Sequence, residues 1–267
     1  MSEEKLSEQK EMPEAPQGEA EVEQKMQSMS RRSFLWGGVA LVGVLAGRQW
    51  INSLPKDATN GISWPFRRAL EVNEKLSRAY FNPARLAPTF PKSQAAEPRP
   101  NGDIGLTSGF DPATWKLNVM GLQGGDRSVT LDEIKRLERV EMVTELKCIE
   151  GWSTVVHWAG ARLADFIAAY PPLQQNGKLP EYVGMTTPDG GYYVGLDMES
   201  ALHPQTLLCY EMNGEPLTLE HGAPLRLAIP VKYGIKNIKR IGTILFTDRR
   251  PDDFWAKHYG YDWYAGH

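Results

Sequence analysis

Between Trp36 and Gly47 the chain runs for twelve residues without a charge or an amide (Trp-Gly-Gly-Val-Ala-Leu-Val-Gly-Val-Leu-Ala-Gly). A helix here is apolar on every side, which suits a lipid environment better than a half-buried surface. The flanks differ sharply. Residues 2–29 are rich in Glu, Gln, Lys and Met and hold no aromatic residue. Such a segment buries too little to offset its ordering entropy, so residues 1–30 read as a disordered acidic tail. Residues 55–110 carry Pro55, Pro65, Pro83, Pro88, Pro91, Pro98 and Pro100. Repeated proline breaks regular elements, so this stretch reads as an extended arm with one helix over Pro65–Tyr80.

From Trp115 the pattern becomes short and regular. Alternation predicts a strand over Trp115–Met120 and a turn over Gly121–Arg127. Thr130 followed by Asp132 and Glu133 opens a helix running to about Arg139. Strands are predicted at Glu141–Cys148, Tyr182–Met185, Tyr192–Leu196, Thr206–Met212, Leu225–Pro230 and Ile238–Thr247, with a helix at Leu163–Tyr170. Pro188–Gly191, His203-Pro204 and Asn213-Gly214 supply turns. Many short strands and few helices, without an internal repeat, make residues 111–267 a mixed α+β domain.

Composition narrows the function classes. The 267-residue chain has a formal charge of −3, which excludes a strongly basic nucleic-acid binder. Residues 1–30 hold eight Glu and three Lys; the remainder, with 27 basic and 25 acidic residues, is near neutral. Two cysteines, Cys148 and Cys209, allow one disulfide at most, and no CxxC occurs. Arg31-Arg32 before Ser33-Phe34-Leu35 and a weakly apolar, Gly-rich run matches a twin-arginine export signal. The segment 31–54 is therefore a cleaved signal or a retained anchor. It places the protein in the periplasm or on the inner membrane facing it. The export machinery is an expected partner.

Two clusters carry candidate chemistry. Cys148 sits where a strand yields to Ile149-Glu150-Gly151-Trp152. A thiolate there is a soft metal ligand or a nucleophile; a buried structural Cys and a Cys-His hydrolase using His157 or His203 are the competing readings. The second cluster is His221-Gly222-Ala223-Pro224-Leu225-Arg226 with Lys232–Arg240. A tight loop ringed by cations can cradle a phosphate, or can be a solvated basic face. His203 reads as part of a turn, Cys209 as structural, and Trp255, Tyr259, Tyr261 and Trp263 as packing.

Four stretches in order, Cys148–Ser153, Tyr210–Leu217, His221–Arg226 and Lys232–Lys239, resemble the molybdopterin-binding domain of the sulfite oxidase family. The resemblance covers about Phe110 to Gly266. Within the family, the export signal and Cys-x-Glu-x-Trp look most like the periplasmic methionine-sulfoxide reductases. The resemblance implies the sulfite oxidase fold and molybdenum carried by one molybdopterin. Cys148 would be the metal ligand, and Glu150 would lie near the metal. Asn82, Thr187, His221, Arg226, Asn237, Ile238 and Lys239 would bind the pterin and its phosphate. Tyr192 would face the substrate.

The departures point to a substrate. Sulfite oxidases place Arg residues shortly after the ligand Cys, whereas this chain has Trp152-Ser153-Thr154. A dianion needs charge-assisted donors, so an S-oxide or N-oxide is the expected small-molecule substrate and the enzyme is expected to reduce it. A sulfite dehydrogenase, or a non-catalytic anion- or partner-binding protein, are the alternatives. The family's dimerisation domain and a haem-attachment CxxCH are not expected in this chain. Electrons must then come from a separate partner, a membrane haem protein or a soluble cytochrome.

Overall fold

The computed structural model describes residues 17–58 and 61–267, with side chains from Arg32 onward. It divides into two compact units, one ending at Pro55 and one spanning Lys56–His267. The first unit is the helix α1 (Gln17–Ser53). Its stretch Arg32–Ser53 is 22 residues long and entirely unburied. At 1.5 Å per residue that is about 33 Å, the thickness of a bilayer's hydrocarbon core. Residues 1–16 of the expected disordered tail lie outside the described residues. From Gln17 the expectation fails, because the tail is helical. Its Glu, Gln, Lys, Ala and Met are good helix formers, and the apolar run continues the same helix.

The second unit begins with α2 (Trp64–Tyr80), with Pro65 in its first turn as expected. Residues 81–116 form the arm. It crosses the body through Phe90 N–H to Val143 carbonyl and Ala96 N–H to Val155 carbonyl, each close to 3 Å. Then follow β1 (Leu117–Met120), β2 (Arg127–Val129), α3 (Leu131–Lys135), β3 (Arg139–Lys147), β4 (Ser153–Arg162) and α4 (Leu163–Ala169). The chain continues with β5 (Tyr182–Thr186), β6 (Tyr193–Asp197), α5 (Met198–Ala201), β7 (Leu207–Met212), β8 (Glu215–Pro216), β9 (Arg226–Ala228), β10 (Thr243–Thr247) and α6 (Phe254–Tyr259).

Two five-stranded sheets result. The first runs β2-β1-β10-β5-β6, with β1 and β10 parallel and the other pairs antiparallel. The second runs β3-β4-β7-β8, and β9 also pairs with β7. Leu117, Val119, Ile134, Phe166, Leu196 and Ile244 anchor the larger core, and Val156, Trp158, Leu207 and Cys209 the smaller one.

Three sequence expectations shift. The helix after Thr130 ends at Lys135, although Thr130 and Glu133 form a full capping box. The predicted strand at Ile238–Thr247 starts only at Thr243, because residues 238–242 close a loop beneath the cationic cluster. The strand β4 has no counterpart in the sequence reading. It is buried on both faces from Val156 through Ala161, so it shows no alternation.

Candidate functional site

β3 and β4 pair in register from Arg139↔Ala161 to Lys147↔Ser153, so Cys148–Trp152 is the turn of a hairpin. Cys148 N–H donates to the Trp152 carbonyl (2.9 Å), and Gly151 N–H donates back to the Cys148 carbonyl (3.1 Å). Gly151 has φ +88°, a conformation that side chains resist. The turn holds Cys148 half-buried with a free thiol, at the side of a cleft of about 250 Å³.

The cleft gathers chain segments far apart in sequence. Cys148, Glu150 and Trp152 come from the hairpin turn, and Arg99 and Asn101 from the arm. His221 lies on the loop into β9 and Arg226 at the start of β9, Asn237 and Lys239 on the loop before β10, and Tyr192 and Trp255 also line the cleft. Glu150 accepts from Trp152 Nε1 (3.0 Å) and Asn101 Nδ2 (3.4 Å). The same Asn101 amide lies 3.6 Å from Cys148 Sγ.

The cations divide by environment. Lys236 is buried against Asp253 (2.6 Å) and the Gly195 carbonyl (2.8 Å). Lys232 lies over the Tyr264 ring, and Arg240 donates to the carbonyls of Thr107 and Leu219. Arg226 and Lys239 are left to the cleft. Arg226 stacks over Trp158 and donates only to the carbonyls of His221 and Asn237; its buried Nε has no partner. Lys239 donates to the carbonyls of Asn101 and Gly102, tying the arm to the cleft. Burial pushes Arg226 down to about 10 and Lys239 down to about 8. Two cations that burial disfavours, with no carboxylate bridge among the described residues, suit an anionic ligand. This cluster is not a solvated basic face.

His221 is buried, with Nε2 3.3 Å from Glu97, and burial lowers its pKa. Gly222, φ +98°, lets this loop approach Lys239 and Arg240: a Cβ there would come within 2.8 Å of both. Tyr192 lines the cleft, but its hydroxyl donates to the Ile235 carbonyl and accepts from Trp255 Nε1 (3.0 Å). Burial, helped by Asp253, raises its pKa far above the phenol range. Tyr192 therefore lines the cleft, as a wall whose hydroxyl is already occupied.

Three expected contacts lie elsewhere. Asn82 lines a different hollow, with Tyr80, Phe81 and Lys147, where its carboxamide oxygen accepts from Ala84 N–H. The asparagine that the irregular arm delivers to the cleft is Asn101, beside the thiol. Thr187 is bonded to Asp189 and Tyr192 and packs on Gly105 of the arm. Ile238 is fully buried in the larger core, and its backbone bonds to Leu227 and Lys236. Neither lines the cleft.

The Cys-His readings also dissolve. His157 contacts Glu141 (3.1 Å), and His203 is buried against the Arg85 carbonyl; neither lines the cleft. Cys209 sits in the smaller core, where burial pushes its thiol up to about 12.

Residues 104–255 match the family described as the oxidoreductase molybdopterin binding domain. The chain belongs to this family. It is a molybdopterin-binding oxidoreductase, with the mixed α+β architecture expected. A protein named for a protein-methionine-sulfoxide reductase subunit, YedZ1 of Azospira oryzae, is 36% identical over 190 residues, 70% of each chain. MsrP, the protein-methionine-sulfoxide reductase catalytic subunit of Ralstonia nicotianae, is 33% identical over 156 residues. That match covers 54% of this chain and 47% of the relative, so the chain spans about half of MsrP's length. The sulfane dehydrogenase SoxCD from Paracoccus pantotrophus covers 64% of this chain and 47% of its own at 19% identity, with a TM-score of 0.49.

The residues fit the group the family binds. An unpartnered guanidinium nitrogen and a lysine at the cleft suit a phosphate, and a half-buried free thiol suits a soft metal. Arg99 and Asn101 are among the lining residues that the sequence pattern did not single out. The Asn101-Gly102 pair, between Pro100 and the core, was the available signal of a tight turn.

Proposed function

We propose that this chain is an exported molybdenum oxidoreductase that removes an oxygen atom from an S-oxide, with a sulfoxide as the reference substrate and an N-oxide as a related one. The observation that carries this is the pairing, in one cleft, of the Cys148 thiol with the unbridged cations Arg226 and Lys239. One molybdopterin is the group this arrangement suits. When bound, molybdenum supplies the two-electron redox change that accompanies oxygen-atom transfer.

The protein's share is binding and orientation. Arg226 and Lys239 hold the phosphate end, with His221 and Asn237 shaping the loop around it. Cys148 contributes the thiolate. Asn101 donates to that sulfur and to Glu150, which fixes the turn. Trp152, Tyr192 and Trp255 wall the cleft and limit water. The overall change consumes two electrons and two protons and yields a sulfide and water. The electrons come from a separate partner, a membrane haem protein or a soluble cytochrome. Arg31-Arg32 ahead of the apolar run of α1 supports twin-arginine export, to the periplasm or to an inner-membrane anchorage facing it.

A specific observation favours a second reading. The cation missing after Cys148 is replaced by Arg99, which the arm brings to the same cleft. An exposed guanidinium there suits an oxyanion such as sulfite. The direction of electron flow separates the two. With the loaded enzyme, sulfoxide should consume a reduced viologen dye, and an Arg99→Ala variant should retain most of that rate. Sulfite-dependent reduction of an acceptor, lost in Arg99→Ala, with no sulfoxide turnover, would favour the dehydrogenase.

A further inference from the structure

The helix α2 is mounted the wrong way round for a soluble surface. It is strongly amphipathic, yet none of its 17 residues is buried. Its polar side meets the body: Arg67 pairs with Asp57 (3.3 Å), Glu74 with Arg250 (2.9 Å), and Arg78 lies over the Tyr264 ring. Its apolar side faces outward. Trp64, Phe66, Val72, Leu76 and Tyr80 are each between 52% and 70% exposed. Trp64, Val72, Leu76 and Tyr80 fall at multiples of four residues, so they form one slanted stripe. An uncovered stripe of this size marks an interaction surface.

We propose that this face of α2 lies in the headgroup and acyl boundary of the bilayer that α1 enters, so that α1 is a retained anchor and α2 a second, interfacial contact. Four features select lipid over protein. The stripe ends in Trp64 and Tyr80, residue types that favour the membrane interface. Each carries a cation over its ring, Arg68 at 5.9 Å from Trp64 and Arg85 at 4.3 Å from Tyr80; Arg68 also pairs with Glu71 (2.9 Å), so Arg85 is the one placed to reach headgroups. Lys75 adds a further exposed cation, while the acidic Glu74 is turned inward against Arg250. Finally, α1 ends at Ser53 and α2 starts at Trp64. The ten residues between them can extend at most about 35 Å, so an anchored α1 keeps α2 within reach of the same surface.

The test uses the full chain in vesicles of phosphatidylethanolamine and phosphatidylglycerol, with and without brominated acyl chains that quench nearby tryptophan. Comparison with Trp64→Phe isolates the emission of Trp64, and comparison with Trp36→Phe and Trp50→Phe isolates that of α1. The proposal expects brominated lipid to roughly halve the Trp64 emission, and this quenching to fall when Leu76→Ser and Val72→Ser are introduced. Quenching of Trp36 and Trp50 without quenching of Trp64 would overturn the interfacial role of α2. Absence of quenching at all three would overturn the retained anchor as well. A dimer in detergent that Leu76→Ser and Val72→Ser dissociate, with Trp64 unquenched, would assign the stripe to a second copy instead. None of these outcomes alters the molybdenum reading.

Discussion

Asn101 concentrates the site's residue-scale logic. Its amide reaches both Cys148 Sγ and Glu150, while its carbonyl accepts from Lys239, so one arm residue touches the thiol and the anion-facing cation. Asn101→Ala removes only the amide contacts. A hydrogen bond of this kind is worth about 1 kcal/mol, or roughly fivefold in rate. Asn101→Asp should do more harm, because it sets a second carboxylate beside Glu150 and the thiolate. Turnover of metal-loaded enzyme should rank wild type above Asn101→Ala above Asn101→Asp; equal losses would refute the charge argument. At this scale the sequence was most informative where spacing is local. Cys148, Glu150 and His221 sit in tight turns and Arg226 opens the strand that follows one, so their neighbourhood travels with the motif. Asn101 and Arg99 reach the cleft from 47 and 49 residues before Cys148 along an aperiodic arm, and no local pattern reports that.

At the scale of elements, the loop into β9 shows how backbone geometry builds the cation pair. Gly222 combines a positive φ with a close approach to the Lys239 Cβ (2.7 Å from an added Cβ) and the Arg240 N (2.8 Å). Gly222→Ala should therefore cost about 1–3 kcal/mol. Urea unfolding of the cofactor-free chain checks this, and an unchanged midpoint would contradict it. The element-scale reading from sequence was sound where amphipathic or alternating patterns exist, as in α2 and β1, and at the apolar run of β7, which turn residues bound on both sides. It missed β4 because a strand buried on both faces has no period-two signal. Gly160 sits at the β4 bulge, where its missing side chain lets Leu208 and Cys209 of β7 pass close. The orientation of α2 was equally hidden. Periodicity reveals that a helix has an apolar side, not which way that side faces.

The whole molecule carries buried lysines that tie stability to pH. Burial pushes Lys232 down to about 7 and Lys239 down to about 8, from an ordinary 10.5. Above those values the folded chain releases protons that the unfolded chain still holds. Stability therefore rises as pH climbs from about 7 towards 10. His221, also lowered by burial, has the same sign nearer its ordinary 6.5 and costs stability as pH falls. The cofactor-free protein should melt several degrees higher near pH 9 than near pH 7, at about 2–4 °C per kcal/mol. Lys232→Met should flatten that rise, and a bound anion that keeps Lys239 protonated should reduce it. A melting temperature that falls over this range would contradict the assignment of these lysines as desolvated and without a carboxylate partner.

The central claim is that Cys148 and the cation pair together hold a molybdenum-bearing pterin. The most direct measurement is elemental analysis with pterin release, on full-length protein purified from a host that makes the cofactor. About one molybdenum and one pterin per chain are expected. Cys148→Ser should lose the metal, and Arg226→Met should lose the pterin as well. Neither metal nor pterin in the wild-type chain from that host, or full retention of both in Cys148→Ser, would contradict the account.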